Sequence, residues 1–221
     1  MSKIIARATV LDKLLDVAVV ILGITIAFQV DRWKESSDRA SREESYLRGM
    51  MIDLDRDIQE YQDNMKDLNR HRQMINRSLM RLSKDEDISD SLGYIVLSML
   101  RPKTFEGHNN TYVTITTTDG IGILRTDSIR DLAVEHYRLY SSLLKFESRY
   151  AEQLTYFKTF FTPHLNFNRA GRLVSKGIAK DIQTENLLAL VSVQQQEGFY
   201  RYEGSLAVAM RLKRKIEEEL R

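Results

Sequence analysis

The side chains able to do chemistry in this 221-residue chain are few in kind. No cysteine is present, which excludes disulfides, thiolate zinc sites, cysteine nucleophiles and iron-sulfur ligation. The four histidines, His71, His108, His136 and His164, show neither HxxxH nor HExxH spacing. None has a glutamate three residues before it, so the Glu-x-x-His pattern of di-iron bundles is missing. His136 falls on an apolar helical stripe and reads as a hydrogen-bonded core histidine. Asp53, Asp55 and Asp57 recur every second residue, a spacing that spreads carboxylates around a helix instead of converging them. GxSxG and Walker A sequences do not occur, and Gly120-Ile121-Gly122 is only a fragment of a dinucleotide-binding GxGxxG. No residue is assigned a catalytic, cofactor-binding or metal-ligating role, and the expectation is a protein that is not an enzyme and carries no cofactor.

Charge adds little. The 33 basic and 31 acidic side chains leave a net charge of +2, so no global field points to nucleic acid. The basic cluster Arg211, Lys213, Arg214 and Lys215 is followed at once by Glu217, Glu218 and Glu219 and reads as a solvated helix face.

The elements that must carry these residues are long helices. Ten glycines and two prolines are too few for the closely spaced turns of a sandwich or barrel. Neither residue type occurs at positions 50–92 or 123–162. In the first stretch Leu47, Met51, Leu54, Ile58, Tyr61, Met65, Leu68, Arg72, Ile75, Leu79 and Leu82 alternate by four and three, predicting a packing stripe with Arg72 as its one polar member. A second long helix is predicted from Thr126 or Asp127 to Phe161, with the stripe Ile129, Leu132, His136, Leu139, Leu143, Phe146, Tyr150, Phe157 and Phe160. A third runs from about Thr184 to Leu220, where Gly198 and Gly204 predict a kink or a tight crossing. A shorter helix, Ser89 to Leu100, stops before Pro102. Residues 111–124 read equally as a hairpin about Asp119-Gly120 or as a short helix with a glycine cap, and 162–183 read as a loop. Most tyrosines fall on the long helices, with hydroxyls expected at the surface. The fold class is therefore all-α, an elongated antiparallel bundle of three long helices and one or two short ones.

The start of the chain carries the strongest pattern. Residues 17–30 contain no charge, and from Leu14 the run is broken only by Asp16, giving about 21 to 26 Å at 1.5 Å per residue. Lys3, Arg7 and Lys13 precede it, and Arg32, Trp33 and Lys34 follow at interfacial depth. A transmembrane anchor is predicted over 14–33, through Val17, Val20, Ile21, Leu22, Gly23, Ile24, Ile26, Phe28 and Trp33. A polar tail, 1–13, precedes it; a polar helical neck, 34–46, and the bundle, 47–221, follow. The packing stripe extrapolates back through Trp33, Val30 and Ile26, so anchor and first soluble helix are expected to form one rod of about 70 residues, on the order of 100 Å. A cleaved signal peptide, a buried core helix and an interfacial helix are the competing readings of this segment.

The run Ile24 to Glu35 (ITIAFQVDRWKE), with Glu44 to Leu47, Leu54 to Ile58 and Thr117 to Leu132, resembles an uncharacterised bacterial family, a domain of unknown function. Its anchor has the form I-L-I-A-L-Q-V-N-N-W-N-E. Asp31, Arg32 and Lys34 stand where that family usually has asparagine. The resemblance implies a bacterial, membrane-anchored helical protein and transfers no functional residue.

These readings lead to a single-pass inner-membrane protein with its C-terminal domain in the periplasm, acting as a scaffold or accessory interaction subunit. Its expected partners are the lipid bilayer and either another protein or a second copy, and no nucleic acid. The alternative is a ligand-sensing bundle whose connectors form a pocket and which signals through a partner; an oligomeric pore or an enzyme ranks below both.

Overall fold

The computed structural model describes residues 2–100, 103–166, 172–173 and 176–221; for 2–18, 172, 173 and 176 it describes the backbone alone. Pro102, the predicted stop of the short helix, and Gly171 lie outside the described residues, as does Met1. The chain is helical as expected: α1 (Ser2–Leu82), α2 (Ser89–Met99), α3 (Asn110–Thr118), α4 (Asp127–Phe161) and α5 (Ile182–Glu219). Among the described residues, the expected loop at 162–183 holds two 3-10 turns and a two-residue antiparallel ladder, β1 (Leu165–Asn166) with β2 (Arg172–Leu173), Leu165 opposite Leu173.

The chain divides into two units, Met1–Leu47 and Arg48–Arg221. In the first, the predicted anchor is helical, and its apolar side chains from Val19 onward are exposed on all sides of the helix. Among the described residues no helix is long and apolar enough to cross a membrane. The side chains of 14–18, including Val17 of the predicted anchor, lie outside those described, as do those of the tail.

The second unit is an antiparallel bundle. Hydrogen bonds from Asn64 to Tyr202 and from Ser192 to Asn76, and the ion pair of Asp55 with Lys213, run α1 against α5 in opposite directions. Bonds joining Gln195 to Tyr150 and Tyr202 to Glu147 do the same for α4 and α5. Between α1 and α4 the chain returns along α1: Ser91 lies beside Ser78, Glu106 beside Glu60, His108 beside Asp57 and Thr111 beside Asp53. The return path is α2, a segment without regular secondary structure at 103–109, and α3.

The predicted stripe marks the right side of α1 but not its deepest line. Leu47, Leu54 and Ile75 are buried, whereas Met51, Ile58, Met65, Leu68 and Leu79 are half-buried. The buried seam takes Met50, Asp57, Asn64, His71 and Ser78 in place of the neighbours one residue on, so it steps by three where the apolar pattern steps by four. Either step fits a period of 3.6 residues; the partners decide between them. Asn64 donates to Tyr202 at 3.1 Å, Ser78 donates to Ser91 at 3.3 Å, and Asp57 accepts from His108, so these polar side chains enter the core already satisfied at one or more atoms. Arg72 is half-buried and donates to Asn69, outside the seam that His71 occupies.

The tyrosine expectation is corrected. Tyr156 is exposed as expected, but Tyr61, Tyr137, Tyr140, Tyr150 and Tyr202 are buried, and the hydroxyls of Tyr61 and Tyr137 lie inside without a hydrogen-bond partner among the described residues. The bundle faces several aromatic stripes towards one another, leaving no route outward for these rings. Residues 110–118 settle as a helix, with Gly120 at φ 73° and its N–H donating to the Ile115 carbonyl at 2.8 Å. Glycine adopts that left-handed cap without the Cβ penalty.

Candidate functional site

The site is built on one face of α1. Asp53, Asp57 and Glu60 stand at i, i+4 and i+7, which places their carboxylates along one line of the helix. Asp55 sits on another side, where it holds Lys213 at 2.5 Å. The sequence expectation that the aspartates diverge is therefore right for Asp55 and wrong for the pair Asp53 and Asp57.

This acidic line captures the irregular segment between α2 and α3. The backbone N–H groups of Glu106 and Gly107 donate to Glu60 Oε1 and Oε2 at 2.8 and 3.3 Å. His108 N–H donates to Asp57 Oδ1 at 2.8 Å, and Thr111 N–H donates to Asp53 Oδ2 at 3.1 Å. A segment without regular secondary structure has no internal ladder to satisfy its donors, so the helix carboxylates do so. Gly107 makes the path possible. It sits at φ 69°, and a Cβ there would lie 2.1 Å from Tyr140 Oη.

Held this way, His108 turns its Nδ1 to 3.1 Å from Asp57 Oδ1, while His136 of α4 places Nε2 at 3.5 Å from Asp57 Oδ2. Asp57 and His136 have no exposed surface. A carboxylate thus stands between two imidazoles, one facing the exterior and one sealed in. The His136 ring packs edge-on to Tyr61 and Tyr137, at centroid distances of 6.4 and 4.7 Å. Asp57 Oδ2, both His136 nitrogens and the hydroxyls of Tyr61 and Tyr137 have no hydrogen-bond partner among the described residues. Burial, reinforced by the Asp57 charge, pushes the Tyr61 hydroxyl far above the ordinary tyrosine range. Burial followed by the Asp53 and Asp57 charges does the same for Tyr137. Both stay neutral donors at any physiological pH.

Outside this cluster opens a cleft of about 700 Å³, lined among others by Glu60, Asp63, Asn64, Lys103, Glu106 and His108. Its floor continues into a second polar chain. Asn64 Nδ2 donates to Tyr202 Oη, which in turn donates to Glu147 Oε1. Burial raises the Glu147 carboxyl above its usual value, against the opposing effect of the Tyr202 hydrogen bond.

Sequence reasoning placed His136 in the core correctly but expected it to be hydrogen-bonded, whereas its nitrogens are not. It passed over Asp57, Glu60 and His108, since 48 or more residues separate His108 from the two acids. The available signal was the polar residue recurring once per heptad at Asp57, Asn64, His71 and Ser78. No family model matches the chain, and no curated protein and no solved structure is similar to it. The resemblance described above thus rests on its motif residues and contributes nothing to this site.

Proposed function

We propose that the chain is a single-pass, membrane-anchored helical bundle that serves as a scaffold or accessory interaction subunit at the bacterial inner membrane, with the bundle on the periplasmic side. The supporting observation is the helix surface from Val19 to Val30. Val19, Val20, Ile21, Leu22, Ile24, Ile26, Phe28 and Val30 are each between 52% and 68% exposed, on every side of the helix, and Trp33 beyond them is 74% exposed. Apolar surface costs roughly 25 cal/mol per Å² in water, so a cylinder of it needs a cover. An all-round apolar surface suits lipid, whereas a helix partner covers one stripe. Arg32, Trp33 and Lys34 then stand at headgroup depth.

Membrane fractionation of the full chain tests the anchor. It should stay in the pellet through an alkaline wash and leave only with detergent, and substituting Ile21, Ile24 and Phe28 together by lysine should release it. Recovery of the unaltered chain in the detergent-free supernatant would overturn the anchor. Mass measurement after extraction in mild detergent tests the scaffold, which predicts a second copy or a co-purifying protein; a lone monomer overturns that part. A reporter enzyme active only in the periplasm, fused after Arg221, checks the orientation.

The cleft over Asp57 favours one second reading, a ligand-sensing bundle, because an open cavity of this size above a partly unsatisfied polar cluster suits a small polar ligand better than a docking helix. Thermal-shift screening with small molecules separates the two, since sensing predicts a stabilised state and scaffolding predicts none.

A further inference from the structure

We infer that Asp57, Glu60 and His108 form a binding site for a divalent first-row transition-metal ion of the zinc class, with His136 as the residue that positions Asp57 from behind. The inference goes beyond the anchored-scaffold reading and does not rest on it. The ligand atoms of the three residues lie within 4.8 Å of one another, and His108 Nδ1 and Asp57 Oδ1 are 3.1 Å apart. Metal bonds of about 2.0 to 2.2 Å to nitrogen and carboxylate oxygen place neighbouring donors at about that separation.

Capture of the 103–111 segment does not by itself account for the cluster. It uses one lone pair of Asp57 Oδ1 and of each Glu60 oxygen, and the second contact of Asp57 Oδ1, to His108 Nδ1 at 3.1 Å, is the one that an ion between the two would replace. It leaves Asp57 Oδ2 and both nitrogens of His136 in a fully buried place without a hydrogen bond among the described residues, the Asp57 Oδ2 and His136 Nε2 atoms facing each other at 3.5 Å. Among the described residues the ion-pair partners of Asp57 are the two histidines, and neither is a permanent cation. A buried carboxylate with a second carboxylate close by calls for positive charge. A divalent ion among His108, Glu60 and Asp57 supplies it. His136, whose Nε2 has Asp57 Oδ2 as its ion-pair contact at 3.5 Å, then orients the ligating carboxylate. Donor chemistry sets the metal class: one imidazole with two carboxylates suits zinc, manganese or iron, whereas calcium and magnesium prefer oxygen alone. Access is open, since the His108 side chain is 31% exposed and lines the cleft.

The test is calorimetric titration of Zn2+ into the full chain, purified in mild detergent and stripped with chelator. One ion per chain is expected, with a raised melting midpoint. His108→Ala and Glu60→Gln should each weaken binding by about 10- to 100-fold or more, and His136→Gln by about 10-fold. Glu218→Gln, at the end of α5 where the carboxylate pairs with Lys215, should bind as the parent does. Co2+ in place of Zn2+ should give a visible absorption band that changes in His108→Ala, a readout a purely structural histidine would not move. Circular dichroism identifies any variant that fails to fold, and the exposed His108 keeps at least one variant informative. Absence of binding, affinity unchanged in folded His108→Ala, loss in Glu218→Gln, or saturation by Ca2+ or Mg2+ in preference to Zn2+ would each overturn the assignment.

Discussion

The polar side chains of this core are held by partners drawn from three different helices, and the Asn64, Tyr202 and Glu147 chain shows what that does to a titrating group. Glu147 keeps a proton more readily in the fold than in the unfolded chain, because burial opposes its charge. A carboxyl raised in this way adds stability that is complete below the ordinary glutamate value of 4.5 and is lost as pH rises through the higher native value. Glu147→Gln keeps an acceptor for the Tyr202 hydroxyl and removes the titration. The melting-temperature difference between parent and variant should therefore shift in the parent's favour as pH falls through that window. A difference constant with pH would show that Glu147 does not titrate in the fold. Tyr150, which accepts from Gln195 at 3.2 Å, is pushed up by burial to about 12 and stays neutral throughout.

At the scale of elements, the glycines of α5 separate two effects that look alike in sequence. Gly198 sits where a Cβ would lie 2.9 Å from the Phe146 ring and 3.2 Å from Leu68, so here three helices approach closely. At Gly204 nothing lies within 4 Å. Gly198→Val should cost about 1 to 3 kcal/mol through overpacking. Gly204→Ala should gain up to about 1 kcal/mol from helix propensity alone. Denaturant unfolding of both variants measures this, and equal effects would contradict the close crossing. The long helices themselves were legible: α4 starts at Asp127 and ends at Phe161, as the breaker-free stretch and its stripe indicate. Thr126 stands at the N-cap position of α4 yet makes no side-chain cap, and its hydroxyl instead donates to Glu219 Oε2 at 2.9 Å. A cap residue is recognised from its type, but whether its oxygen turns to its own helix depends on what stands opposite. Asp181 does cap α5, accepting from the Gln183 N–H at 2.8 Å.

At the scale of the molecule, the second unit contains its own core, with Leu54, Tyr61, Ile75, Phe157, Phe161, Leu188, Tyr202 and Leu212 each fully buried or nearly so. A fragment comprising residues 48–221 should therefore stay in solution without detergent and melt in one cooperative transition, observed by circular dichroism. A fragment that aggregates or melts without a transition would show that the first unit is required for the fold.

Helix content and the apolar character of residues 19–30 follow from the sequence by itself, because both arise from local periodicity and composition. The spacing of Asp57, Asn64, His71 and Ser78 is equally visible there, yet nothing local says whether those residues face water or the core. Only the tertiary structure decided it. The step between a seam of four and a seam of three costs the helix nothing, so Tyr202, Ser91 and His108, brought in from distant parts of the chain, select the polar line. The same holds for the candidate metal centre. Its histidine and its carboxylates are strangers in sequence, and they meet because unpaired backbone N–H groups at 106–108 need acceptors and α1 provides them.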